Sequence, residues 1–143
     1  MIGQELMGWA RVHLDDRRDA ITPSHDLSEL TIVIPSFCRE AYLVRQLAYW
    51  FPSNATVVIA DGSPSPLTSR LHQIVSTVSH IKYFHLAGSY SDRIRAACDY
   101  IQTPYAMCLA DDDLFLKAGL CGAIDHLKHN SDVVACIGQM VGF

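Results

Sequence analysis

No apolar run in this 143-residue chain approaches the roughly 18 residues that would span a bilayer, so no transmembrane helix is expected. The opening stretch MIGQELMGWARVHLDDRRDA has no basic segment followed by an uninterrupted apolar one, and it is not read as a secretory signal. A positive balance is missing too: the net charge is −4, which gives no general pull toward nucleic acid or anionic lipid. There is no CxxC pair. The five cysteines, Cys38, Cys98, Cys108, Cys121 and Cys136, are an odd set lying mostly inside apolar segments. That pattern argues against a disulfide frame or a zinc site and for small buried hydrophobes in a reducing compartment, the cytoplasm by default. The seven histidines show no metal-ligand spacing, and His126 and His129 are expected on a solvated helix face. Internal repeats and low-complexity stretches are absent.

What is present is half hydrophobic, enough for one domain with a real core. Residues 1–29 are mixed: a helix-like piece around Leu6, Trp9 and Val12, the charged DDRRD, then turn chemistry. From Leu30 the pattern sharpens into strand and helix by turns. LTIVIPSF reads as a fully buried strand ended by proline. REAYLVRQLAYWF follows with Leu43, Leu47, Trp50 and Phe51 at helical spacing, and Trp50 and Phe51 are expected in the core. ATVVIADGS and IKYFHLAG read as the second and third strands, separated by a helix that places Leu67, Leu71, Ile74, Val75 and Val78 on one face. SDRIRAACDYIQ is a third helix with Ile94, Ala97, Cys98 and Ile101 inward. YAMCLADDD is the fourth strand, FLKAGLCGAIDHLKH a fourth helix, and SDVVACIGQMVGF opens as a fifth strand. A period of about 25 residues in this alternation is the signature of an α/β domain, a mostly parallel sheet of about five strands with helices on both faces.

In such a sheet, ligands bind beyond the carboxyl ends of the strands, at the switch in strand order. Pro35, Ser36 and Arg39 follow the first strand, Asp61, Gly62 and Ser63 the second, Gly88 and Ser89 the third, and Asp111, Asp112 and Asp113 the fourth. With the order 3-2-1-4, the Pro35-Ser36 turn and the aspartates would share one crevice. Three adjacent carboxylates repel one another, and the local sequence offers them no evident counter-charge. Hard oxygen ligands suit Mg²⁺ or Mn²⁺, which takes one or two carboxylates and completes its shell with water and phosphate oxygens. The competing reading, helix capping, needs only one aspartate.

TIVIPSFCREAYLVRQL, then VVIADGS, then YAMCLADDD, in that order and at strand ends, resemble the family 2 glycosyltransferases of the GT-A fold. The resemblance covers residues 30–143 and corresponds to the nucleotide-sugar-binding half of the family's domain, with residues 1–29 as an N-terminal extension; the expectation is a domain truncated at its C-terminus. It implies that Pro35, Ser36 and Phe37 line the base and ribose and that Arg39, Gly62 and Ser63 belong to the same nucleotide cradle. Asp61 would accept a hydrogen bond from the base, uracil or another pyrimidine. Arg93 or Arg95 would approach the diphosphate or the base. Asp111 would face the ribose or sugar, and Asp113 would hold the metal, with Asp112 the alternative ligand because DDD can be read in two registers. The implied donor is a UDP-sugar and the acceptor is unknown. The family often has asparagine where Cys38 stands and where the third helix reads RAACDYI.

Inverting transfer needs a base on the acceptor hydroxyl. The family places it in the half that is absent here, and neither Asp125 nor Asp132 is assigned to the role. Two other readings therefore stand beside a glycosyltransferase: a non-catalytic nucleotide-binding or assembly module derived from one, and a nucleotidyltransferase. An apolar C-terminal edge near Val133, Val134 and Ile137 is expected to favour self-association or a partner chain. Three other classes are excluded. A receiver domain needs an acidic pair after the first strand, and a haloacid-dehalogenase-like phosphatase needs an Asp-x-Asp there. A Rossmann dehydrogenase needs a glycine fingerprint at that place, where PSFCRE has none.

Overall fold

A computed structural model describes residues 25–139. The expected helix around Trp9 and the DDRRD stretch lie outside them. β1 (Leu30–Ser36), α1 (Glu40–Trp50), β2 (Thr56–Asp61), α2 (Ser69–Ser76), β3 (Ile81–His85), α3 (Tyr90–Cys98), β4 (Tyr105–Cys108) and α4 (Lys117–His129) follow in order. The α/β class and the helices on both faces are as the alternation predicts. The strands form one all-parallel sheet in the order β3-β2-β1-β4.

Alternation along the strands divides the core. Leu30, Ile32 and Ile34 of β1 and Val57 and Ile59 of β2 face α1, α2 and α4, where Leu43, Trp50, Leu71, Val75 and Ile124 meet them. Trp50 is fully buried and Phe51 packs beside it, as expected of both. Leu27, upstream of the expected boundary at residue 30, is fully buried in the same cluster. Val33, Val58 and Ala60 point to the opposite face, covered by Ala97, Ile94 and Ile101 of α3 and the segment just after it. Beside β4 that cover ends, leaving a shallow apolar groove of about 200 Å³ lined by Val33, Ile94, Cys98 and Cys108 among others.

Two expectations are corrected here. The sheet has four strands among the described residues, not five. The run after α4 begins with a turn in which the Val133 amide donates to the Asn130 carbonyl, and Val134 and Ile137 are 95% and 97% exposed. An apolar run becomes a strand only against a partner, and this one meets neither a ladder nor an apolar surface. The cysteines are not buried: Cys38, Cys98, Cys108 and Cys136 are exposed, Cys121 is half-buried, and all are free. Cys98, expected inward, sits at the rim of α3 beside the uncovered face of β4. His126 and His129 are exposed, as expected. No helix among the described residues is long and apolar enough to cross a membrane.

Candidate functional site at the carboxyl ends of the strands

β1 lies between β2 and β4, so the chain reverses its order of strand addition across the β1/β4 boundary. A crevice opens at that point in sheets of this type. The Leu109 amide donates to the Val33 carbonyl at 2.9 Å, which carries the β4 pairing one residue further and sets the aspartates beside the end of β1. Ser36 continues the inward-facing series of Leu30, Ile32 and Ile34, and its hydroxyl donates to Asp111 Oδ2 at 2.8 Å. The two residues are 75 positions apart, and both are buried.

The counter-charge missing from the local sequence comes from the same strand end. Arg39 Nη1 donates to Asp111 Oδ1 at 3.0 Å and to Asp112 Oδ2 at 2.8 Å, so one nitrogen bridges two carboxylates. The hydrogen bond from Arg39 holds the Asp112 carboxyl below its usual range, and the two carboxylates raise the guanidinium in return. Asp113 differs from both: its carboxylate is exposed and makes no side-chain contact among the described residues, while its amide turns back to the Ala110 carbonyl.

Helix α1 clamps the aspartate loop from below. Gln46, fully buried, donates through Nε2 to the carbonyls of Asp111 (3.1 Å) and Asp113 (2.5 Å), and its Oε1 accepts from the Trp50 indole at 3.0 Å. Arg45 donates to the Asp112 carbonyl at 3.0 Å, and the Tyr49 hydroxyl to the Phe115 carbonyl at 2.8 Å. Lys117 Nζ then caps the Tyr49 carbonyl at 2.9 Å over the Tyr49 and Trp50 rings. Burial lowers the ammonium's pKa. The local sequence does not mark Arg45, Tyr49 or Lys117 as anchors of this loop. Gln46 carried a signal, because it falls on the stripe that Leu43, Leu47 and Trp50 mark as apolar. A buried amide on such a stripe must have partners.

At the end of β2, the Asp61 carboxylate is turned inward and 1% exposed. Its Oδ1 accepts from the Ser63 amide (2.9 Å) and hydroxyl (2.5 Å), and its Oδ2 from the Tyr83 hydroxyl at 2.9 Å. Burial first, then the neighbouring Asp61, pushes the Tyr83 hydroxyl up to about 12. His85 Nε2 donates to the Ser63 carbonyl at 2.7 Å, and the Ser63 hydroxyl also accepts from the Cys38 amide at 2.8 Å. Cys38 has φ 55°, the left-handed region that asparagine occupies more readily than most residues.

Arg93 completes the crevice. It stands in the first turns of α3, whose N-terminus is capped by Ser89, the Asp92 amide donating to its hydroxyl at 3.1 Å. Its guanidinium lies 6.0 Å from the Phe37 ring and donates to the Gly88 carbonyl at 2.9 Å. It also presses on Gly62, where a β-carbon would stand 2.0 Å from Nη1. Gly62 has no positive φ; a side chain there would require the Arg93 guanidinium to move from its present position. Arg93 is 6% exposed, its Nε has no hydrogen-bond partner, and no carboxylate pairs with it among the described residues.

The expected site residues thus fall into two adjoining groups: Ser36, Arg39, Asp111 and Asp112 on the β4 side, and Phe37, Gly62 and Arg93 on the β2/β3 side. Asp61 and Ser63 form the turn beneath the second group. Pro35 lies within the ladder opposite Ala60, and its ring is half-buried. Arg95 is not brought in; its side chain is 80% exposed and pairs with Asp92 on its own helix. Asp125 and Asp132 lie on and after α4, whose later part reaches the opposite end of the sheet: Lys128 pairs with Glu29, just before β1.

No protein-family model matches the chain, and no curated protein matches it. Among the described residues no three His, Cys, Asp or Glu side chains are gathered in a form that could hold a metal ion. Two carboxylate oxygens do converge, at 2.8 and 3.0 Å, on one cationic nitrogen, and a third carboxylate stands free next to them.

Proposed function

We propose that this chain binds a nucleoside-diphosphate sugar, UDP-linked, in the crevice between Phe37, Gly62, Arg93 and the aspartate loop, as the donor-binding half of a family 2-like glycosyltransferase. The observation that carries the reading is Arg93. Arg93 is buried, its guanidinium meets the Gly88 carbonyl but no carboxylate, and its Nε has no partner; such a charge is costly to fold around, and a protein retains it where an anion is to be met. Diphosphate matches it in charge and in hydrogen-bonding geometry. The exposed Phe37 ring beside it offers a face on which a base can stack.

In this reading Asp111, Asp112 and Asp113 supply oxygens to Mg²⁺ or Mn²⁺, and Asp113, already free, is the principal ligand. When bound, the ion neutralises charge on the departing diphosphate. Asp111, braced by Ser36, orients the ribose or sugar. Asp61 faces the base only by sharing an oxygen already engaged with Ser63 or Tyr83, so its first contribution is to fix the DGS turn under Arg93. A non-catalytic binding module is the second reading. It is favoured by the position of Asp125 and Asp132 at the far end of the sheet from the crevice. Localisation in the cytoplasm and self-association through the exposed run at Val134 and Ile137 complete the proposal.

Calorimetric titration with UDP, with and without Mn²⁺, tests it. UDP is expected to bind, more tightly with Mn²⁺, and Arg93→Gln to weaken it by about 10–100-fold, the share of a charge-assisted pair. Asp113→Ala should remove most of the metal effect. Absence of UDP binding at millimolar concentration, or an Arg93→Gln variant that binds as the parent does, would overturn the reading. Acceptor-dependent sugar transfer from labelled donor would discard the second reading.

A further inference from the structure

Resting on that reading, we infer that Ser63 is a positioning residue for the base: its hydroxyl holds the turn that presents the Phe37 ring, and so governs the grip on an aromatic base without touching the diphosphate. Phe37 is 55% exposed and belongs to neither side of the core. An apolar ring in water is ordinarily free to move, yet the backbone beneath this one is tied on both sides. The Gly62 amide donates to the carbonyl of Ser36, just before it, at 2.9 Å. The amide of Cys38, just after it, donates to Ser63 Oγ at 2.8 Å. The first tie joins backbone to backbone; the second rests on one hydroxyl. That hydroxyl secures a residue at φ 55°, a left-handed conformation that cysteine does not favour.

Ser63 Oγ is itself held. Its proton goes to Asp61 Oδ1, which also accepts from the Ser63 amide, and Asp61 Oδ2 accepts from the Tyr83 hydroxyl. Tyr83 in turn accepts from the Leu67 amide at 2.9 Å, and the Ser63 carbonyl accepts from His85 on β3. The hydroxyl is therefore a side-chain link between a braced β2/β3 side and the turn after β1. Asp61, 1% exposed with both oxygens engaged, acts on the base through this link. Arg93, which meets the diphosphate in that reading, is held at the Gly88 carbonyl and against Gly62, and uses neither the Ser63 hydroxyl nor Cys38. Without the hydroxyl the Phe37 turn is looser, and a base must order it on binding.

The test titrates UDP and inorganic pyrophosphate, without added metal, against the full chain as the parent, Ser63→Ala, Phe37→Ala and the double variant. Phe37→Ala should weaken UDP by about tenfold, the share of one base stacked on a ring. Ser63→Ala should weaken UDP by about 3–10-fold, the cost of ordering one side chain, and leave pyrophosphate binding unchanged. In the Phe37→Ala background the Ser63 change should have no further effect on UDP, which a merely structural role would not produce. An effect that persists without the ring, or that falls equally on pyrophosphate, overturns the inference, and so does a Ser63→Ala variant that binds UDP as the parent does. A further measurement needs no variant: the Cys38 amide, on an exposed residue, should exchange with deuterium at least about tenfold more slowly than an unbonded loop amide. Exchange at the free-loop rate overturns the inference equally. A parent that binds no UDP while the Cys38 amide is protected overturns the donor-site reading, and the inference with it.

Discussion

Replacing Gln46 by leucine should loosen the aspartate loop more than any change to the aspartates themselves. The amide makes three hydrogen bonds with none of its own surface exposed: two donated to the loop carbonyls of Asp111 and Asp113, one accepted from the Trp50 indole. Leucine removes all three. Asp113 is exposed, and water can replace the bond to its carbonyl. Asp111 is 5% exposed and Trp50 is fully buried, so two orphaned groups remain at about 1–3 kcal/mol each. Added apolar contact offsets a little, leaving a loss of about 2–5 kcal/mol from a domain total on the order of 5–15. Urea unfolding followed by tryptophan fluorescence should show the midpoint falling by roughly 1–3 M at unchanged slope. Amides of residues 109–113 should exchange faster than those of β2. A second substitution separates the two orphans. Trp50→Phe costs volume in the parent, but in the Gln46→Leu background it also removes the unpaired indole N–H, so the pair should be less than additive by about 1 kcal/mol. A loss below about 1 kcal/mol with unchanged loop exchange would refute the argument that α1 holds the loop through this amide.

Two further outcomes follow from the β2 turn. The Tyr83 hydroxyl, pushed up to about 12, binds its proton more tightly folded than unfolded; stability is therefore whole below pH 10 and declines as pH rises from 10 toward 12. Tyrosinate absorbance should show a late-titrating component that Tyr83→Phe removes; an unchanged curve would count against the burial of that hydroxyl. Cys38→Asn should raise stability by about 0.5–1 kcal/mol in thermal or urea unfolding, since asparagine tolerates the left-handed backbone that cysteine is held in. A variant less stable than the parent would show that the thiol makes a contact worth more than the strain.

Much of this arrangement was legible in the chain. Short β-branched runs ending in Pro35-Ser36 and Asp61-Gly62-Ser63 fix the strands and their polarity, because continuous apolar runs of that length have few other uses. The common order 3-2-1-4, once assumed, sets Ser36 against Asp111. Arg39 as the partner of the aspartates was not legible, since the pairing spans 72 residues and exists only once β4 lies beside β1. The choice between Arg93 and Arg95 depended on helix phase: two residues apart on α3, one faces the sheet and the other solvent. The fifth strand failed because apolar composition at residues 133–139 states a preference and supplies no neighbour. Cys98 and Cys108 are exposed for a related reason: β4 stands at the edge of the described sheet with its α3-side face half bare, and a run of four residues does not reveal that.

The place of β4 in the sheet also bears on the order in which the molecule assembles. β1, β2 and β3 are consecutive in the chain, and pairing of Thr31 with Thr56 and of Val57 with Ile81 closes only short crossovers. Pairing of Leu30 with Tyr105 closes the long way round, after the three-stranded unit is already complete. The turn bearing Phe37, the DGS loop and the Arg93 helix can thus form without β4, while the aspartates dock last onto a waiting Ser36 and Arg39. A boundary with four paired residues, a long closure and a half-bare face is where hydrogen exchange is expected to show the earliest opening. Whatever spans that boundary, touching Arg93 on one bank and the aspartates on the other, would act as a stitch, raising the cost of opening there before it raised the stability of any other part of the sheet.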